Sequence, residues 1–68
     1  MVNTQYLEEI IKNSGLKISY IAEKCGMSRP TFNAKRNNES EFTAKEIKTL
    51  CDILGITSLT QREKIFFN

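Results

Sequence analysis

The stretch ISYIAEKCGMSRPTFNAKRN, from Ile18 to Asn37, decides how the chain folds. Ile18, Ile21, Ala22 and Cys25 recur at the spacing that lines one face of a helix, and Gly26 stops the run by accepting the positive φ of a helix end without steric cost. Ser28 offers a side-chain oxygen to cap a second helix. Pro30 falls in its first turn, where a missing N–H leaves no intrahelical bond unmade, and Thr31 to Asn37 continues it. Ala22 is small where the second helix has to cross closely, and Met27 with Phe32 fill the wedge between the two. The spacing thus predicts two short helices joined at an angle through Gly26, Met27 and Ser28.

Working outward, the same periodicity predicts three more helices. Leu7, Ile10, Ile11 and Ser14 follow the i, i+3, i+4, i+7 spacing of one helix face over Thr4 to Ser14, with Asn3 as N-cap, Val2 and Leu7 as a hydrophobic staple, and Gly15 as the stop. Asn37 to Glu41 reads as a loop. Thr43 and Glu46 form a capping box ahead of Ile47, Leu50, Cys51 and Leu54, and Gly55 ends that helix. A last helix is predicted over Gln61 to Phe67, opened by a Thr60 and Glu63 box. Tyr6, Tyr20, Phe32 and Phe42 each sit beside an apolar stripe and are expected in the core or at its edge. No stretch alternates as a strand would, so the expected architecture is all-α: five short helices in one domain over residues 1–68.

Composition narrows the chemistry. At 68 residues, 40% hydrophobic and 26% charged, the chain is close to the smallest that builds its own core. It has no histidine, and its two cysteines, Cys25 and Cys51, lack the paired spacing of a zinc site, so neither a metal nor a cofactor is expected. Glu8 and Glu9 diverge on a helix, Glu39 and Glu41 lie in a loop, and no glycine-rich phosphate loop accompanies them. Those facts argue against an enzyme. No apolar run approaches the ~20 residues of a membrane span, and the N-terminus lacks the basic and apolar parts of a secretory signal, which points to a cytosolic chain. The net charge of +2 is unevenly spread: Lys12, Lys17, Lys24, Arg29, Lys35 and Arg36 face only Glu23 in the central third, while the remainder is acidic. A cationic segment of that kind suits a polyanionic partner.

The central unit resembles the helix-turn-helix of the lambda-repressor-like, Cro-type (XRE) family, and small phage regulators within it. Small Ala22, Gly26, Met27, Ser28 and Phe32 stand where the family motif has small, glycine, apolar, serine and apolar residues, and the five-helix pattern extends the likeness over nearly the whole chain. The resemblance implies that the third helix enters the major groove of double-stranded DNA. Arg29 would then pair with guanine O6 and N7 and Asn33 with adenine N6 and N7, while Ser28, Pro30 and Ala34 occupy neighbouring contact places. Asn37 matches the family's phosphate-binding amide. Lys17 and Ser19 with the N–H groups opening the second helix form an anion site, and those near Thr43 and Ala44 form another; Thr31, Lys35, Arg36 and Asn38 extend the phosphate-facing surface.

Three departures from the family pattern stand out. Ile18 replaces a common glutamine that braces the DNA backbone. Arg36 stands where close relatives are apolar, and either snorkels over the core or faces DNA. Glu39 and Glu41 place negative charge after the recognition helix. At the C-terminal end, Ile65, Phe66 and Phe67 either close the core or supply a dimer contact, and the two adjacent aromatics must point in different directions, leaving one exposed. The expectation is a sequence-specific transcriptional regulator, a phage or prophage Cro-like repressor that binds as a homodimer, occludes a promoter and takes no small-molecule ligand. The alternative is a protein-interaction module on the same fold that binds a repressor, toxin or polymerase subunit.

Overall fold

The computed structural model describes residues 1–67. Five helices follow one another, α1 Thr4–Ser14, α2 Ile18–Lys24, α3 Arg29–Arg36, α4 Ala44–Leu54 and α5 Leu59–Phe66, with no strand among the described residues. Each apolar stripe turns inward as its spacing requires. Leu7 and Ile11 of α1, Ile21 and Ala22 of α2, Phe32 of α3, Ile47, Leu50 and Cys51 of α4, Ile56, and Ile65 and Phe66 of α5 make one contiguous core. Phe32 is the sole fully buried residue of α3, so this helix is fastened by a single aromatic plug. Its truncation to alanine would cost about 3–5 kcal/mol, a large share of what so small a fold holds. Phe42, in the loop before α4, joins that plug to α5, with ring centres 5.8 Å from Phe32 and 5.8 Å from Phe66.

Local chemistry sets the ends of the elements. Ser28 Oγ accepts the Thr31 N–H at 3.3 Å and fixes where α3 begins. The turn before it is held by Gly26 at φ 73°, which lets the Met27 N–H reach back to the Ala22 carbonyl at 3.0 Å. Asn38 makes the same motif at the far end of α3. At φ 66° it is the one non-glycine residue in the left-handed region among the described residues, and the Glu39 N–H closes on the Ala34 carbonyl at 2.8 Å. Its side chain gives the reason an asparagine is there: Oδ1 accepts the Val2 N–H at 2.8 Å, and Nδ2 donates to the Val2 carbonyl at 3.0 Å. The N-terminal segment is thereby stitched to the end of α3, and the Asn3 N–H ties it to the Ile65 carbonyl at 2.6 Å.

The start of α5 corrects the sequence reading. Ser58, not Thr60, caps it: Ser58 Oγ accepts the Gln61 N–H at 3.3 Å, and no box forms between Thr60 and Glu63. Two overlapping cap signals compete here. Ile56 is already buried and leaves only Thr57 before Ser58, so the helix starts at the earlier signal and gains the Arg62 N–H to Ser58 carbonyl bond at 3.0 Å. Tyr20 is also corrected. It lies exposed on α2 with the Lys24 ammonium 5.6 Å above its ring, rather than in the core. Among the described residues no helix is long and apolar enough to cross a membrane.

Candidate nucleic-acid interface

Residues expected to meet bases lie along the outer side of α3. Ser28, Arg29, Pro30 and Thr31 are exposed at its first turn, and Asn33 and Ala34 follow half-buried one turn on. Ser28 and Thr31 are linked to each other, the Ser28 hydroxyl donating to Thr31 Oγ1 at 2.9 Å, which steadies the turn that would face DNA first. Asn37 is exposed as the residue that ends α3. Lys17 and Ser19 are exposed at the opening of α2, where Lys17 sits at the cap position with no side-chain hydrogen bond to the helix, leaving the first-turn N–H groups open.

Three residues expected at phosphates, Lys35, Asn38 and Arg36, are occupied within the fold. Lys35 is half-buried, and its ammonium lies 2.7 Å from Glu46 Oε1 on α4, with the two side chains only 15% and 18% exposed. Its charge is therefore compensated. Burial acts to raise the Glu46 carboxyl, but hydrogen bonds from Lys35 and from the Thr43 backbone, with the Lys35 charge, outweigh it and hold the carboxyl below the ordinary range. The same pair modifies the expected anion site at the start of α4, because Glu46 Oε1 also takes the Thr43 N–H at 2.9 Å and places a carboxylate there. Asn38 is the second case, since its amide is spent on Val2 and, at 3.3 Å, on Thr4 Oγ1.

Arg36 adopts the snorkelling arrangement. Its guanidinium carbon lies 6.0 Å from the centre of the Phe32 ring, Nη2 donates to Asn33 Oδ1 at 2.9 Å, and Nε is buried without a partner among the described residues. Ile18 is partly buried against the core and makes no polar contact. Glu39 and Glu41 are both exposed on the loop after α3.

Sequence reading left two features of this region unseen. Glu46 was legible as a cap, but its ion pair with Lys35 spans α3 and α4 and has no local signature. Lys45 lies outside the cationic third, yet it shares a cleft of about 380 Å³ with Lys24, Gly26, Thr43 and Glu46, which brings two lysines and one carboxylate together between the turn and α4. Cys25 lines that cleft as a half-buried free thiol, and Cys51 is free and buried. Burial first, and then the Glu46 charge, pushes the Cys25 thiol up; at Cys51 burial leads, Arg62 opposes it and Asp52 adds to it. Both therefore stay protonated and weakly nucleophilic.

The expected dimer contact is corrected in part. Ile65 and Phe66 are 0% and 4% exposed and belong to the core, so neither side chain is free to meet a partner, whereas Phe67 is 64% exposed. Of the two aromatics that had to diverge, Phe66 turns in and Phe67 turns out. Phe67 and Met1 line a cleft of about 290 Å³ together with Val2, Phe42, Ile47 and Phe66 and with the polar Asn38, Ser40 and Glu41.

Two short helices crossing over Ala22, a glycine turn, and a polar third helix plugged by one phenylalanine define a helix-turn-helix domain of the kind that binds double-stranded DNA. The family model described as Cro/C1-type HTH DNA-binding domain matches residues 6–59, and the chain belongs to that family. No curated protein and no solved structure matches the chain.

Proposed function

We propose that the protein is a Cro-like repressor of phage or prophage type, which binds a specific operator through α3 and silences a promoter by occupying it. The observation that carries this reading is the outer side of α3, where Arg29, Pro30, Thr31 and Asn33 reach solvent while Phe32 alone anchors the helix beneath them. Arg29 and Asn33 read base edges, with Ser28, Pro30 and Ala34 beside them. Lys17, Ser19, Thr31 and Asn37 hold phosphates on either side.

Two copies act together on a two-fold operator, with half-sites about one DNA turn, ~34 Å, apart. Phe67 supports the pairing, because it is a large apolar side chain left exposed beside a cleft of mixed lining, apolar at Val2, Phe42, Ile47 and Phe66 and polar at Asn38, Ser40 and Glu41. Occlusion asks only that the DNA-reading face hold promoter sequence.

Salt dependence tests the reading against a protein-interaction role. Log affinity for duplex DNA should fall linearly with log salt, by about 0.9 for each phosphate contacted. Binding that is weak and indifferent to salt would instead favour a hydrophobic protein partner.

A further inference from the structure

Asn33 and Arg36 face each other across one turn of α3, and Arg36 Nη2 donates to Asn33 Oδ1 at 2.9 Å. A guanidinium carries donors and no acceptor, so the amide atom that meets it has to be the oxygen. The Asn33 amide is thereby held in one of its two orientations. Its Nδ2, on the other branch, has no partner among the described residues and is absent from the chain's buried orphaned atoms, so it reaches solvent. The guanidinium is itself restrained. It lies over the fully buried Phe32 ring at 6.0 Å with Nε buried, which leaves it little room to swing away.

Major-groove chemistry gives this orientation a consequence. Reading adenine takes an acceptor for the N6 amino group as well as a donor for N7. Here one of the two lone pairs of Asn33 Oδ1 is taken, and an adenine amino group on the other would press its hydrogens toward the guanidinium donors. Guanine presents acceptors at N7 and O6 and no donor, so it meets only favourable partners.

We infer that Arg36 is a specificity-determining residue: by holding Asn33 Oδ1 it turns Asn33 from an adenine reader into a guanine reader. The inference rests on the reading of α3 as the helix in the major groove. Arg36 touches no base and acts through Asn33, as a positioning residue. This revises the expectation that Asn33 pairs with adenine, and it gives Arg36 a role beyond covering Phe32.

Parallel selections from a random duplex pool test it, using the wild-type protein, Asn33→Ala and Arg36→Met. The alanine variant marks the operator position that Asn33 reads, because information is lost there alone. Methionine keeps an unbranched apolar stem over Phe32 and removes every donor. Guanine at the marked position in the wild-type pool is expected. In the Arg36→Met pool the guanine-to-adenine ratio there should drop about fivefold or more, the low end of what one base-specific pair discriminates, with the other positions unchanged. Adenine at that position in the wild-type pool overturns the inference without any variant at Arg36. So does an unchanged ratio in an Arg36→Met protein whose circular dichroism is still helical. Should that variant not fold, wild-type affinity for the selected duplex with adenine in place of the marked guanine decides: a fivefold loss supports the inference, and no loss overturns it. A wild-type pool with no motif anywhere would instead remove the DNA-reading role of α3 and this inference with it.

Discussion

The Lys35 ammonium meets Glu46 Oε1 at 2.7 Å, and that one oxygen also accepts the Thr43 N–H at 2.9 Å. A single carboxylate thus caps α4 and fastens α3 to it, with Lys35 and Glu46 largely withdrawn from solvent. A charge-assisted bond in such a site is stronger than one between exposed side chains.

Glu46→Gln keeps an acceptor for Thr43 but removes the charge. It should cost about 1 kcal/mol at neutral pH, or roughly 4–8 °C in Tm for a domain of this size. Because the folded carboxyl titrates below its unfolded value, the stability it supplies is present above the ordinary glutamate range, ~4.3, and is lost as pH falls through the lower folded value. The difference in Tm between wild type and Glu46→Gln should therefore shrink from pH 6 to about pH 3. A difference that stays constant over that range would show that the ion pair is not its source.

Arg29 is exposed at the first turn of α3 and holds nothing in the fold. Arg29→Ala should leave Tm within about 0.5 kcal/mol of wild type, lower affinity for the preferred site by about 1–3 kcal/mol, and leave non-specific binding almost intact. Equal losses on preferred and unrelated duplexes, measured by anisotropy, would mean that Arg29 contacts the backbone and not a base.

Lys17 and Lys35 carry the same formal charge but should behave differently. Lys17→Ala should weaken binding to all sequences alike and reduce the salt slope by about 0.9. Lys35→Ala should change the slope much less and stability more, because Glu46 already compensates Lys35. Identical slopes for both variants would contradict the assignment.

At Asn38 two effects can be separated. Asn38→Ala loses the bonds to Val2 and Thr4 and also puts a β-carbon at φ 66° without local support, at a cost of about 1–2 kcal/mol. Asn38→Gly loses only the bonds and should cost less in urea denaturation. If the two variants are equally destabilised, backbone conformation contributes nothing there.

Phe67→Ser should leave the fold intact, since that ring is mostly outside the core, but should lower self-association in sedimentation experiments and reduce cooperative operator binding. Unchanged sedimentation would place the pairing surface elsewhere.

Much of this molecule was legible because its signals are local. The helical stripes of α1 and α4, the cap residues Asn3, Ser28 and Thr43, and the glycine stops all act within four or five residues, and the structure follows them. The start of α5 was misread because Ser58 and Thr60 carry the same kind of cap signal and only the burial of Ile56 separates them. The polar stripe of α3 was readable as a candidate site, but how its members are engaged was not. Lys35 finds Glu46 eleven residues away and Asn38 finds Val2 thirty-six residues away, through tertiary contacts that no periodicity encodes, whereas Arg36 takes the snorkelling one of its two expected places, over Phe32 one turn earlier on the same helix.

The most direct test of the account is selection of bound duplexes from a random DNA pool by the purified protein near physiological salt. The predicted result is an enriched, roughly palindromic motif with half-site centres about one helical turn apart, bound in the ~10⁻⁸–10⁻¹¹ M range typical of specific sites. A pool with no motif and binding no tighter than ~10⁻⁴ M would contradict the assignment of α3 as a reader of DNA sequence.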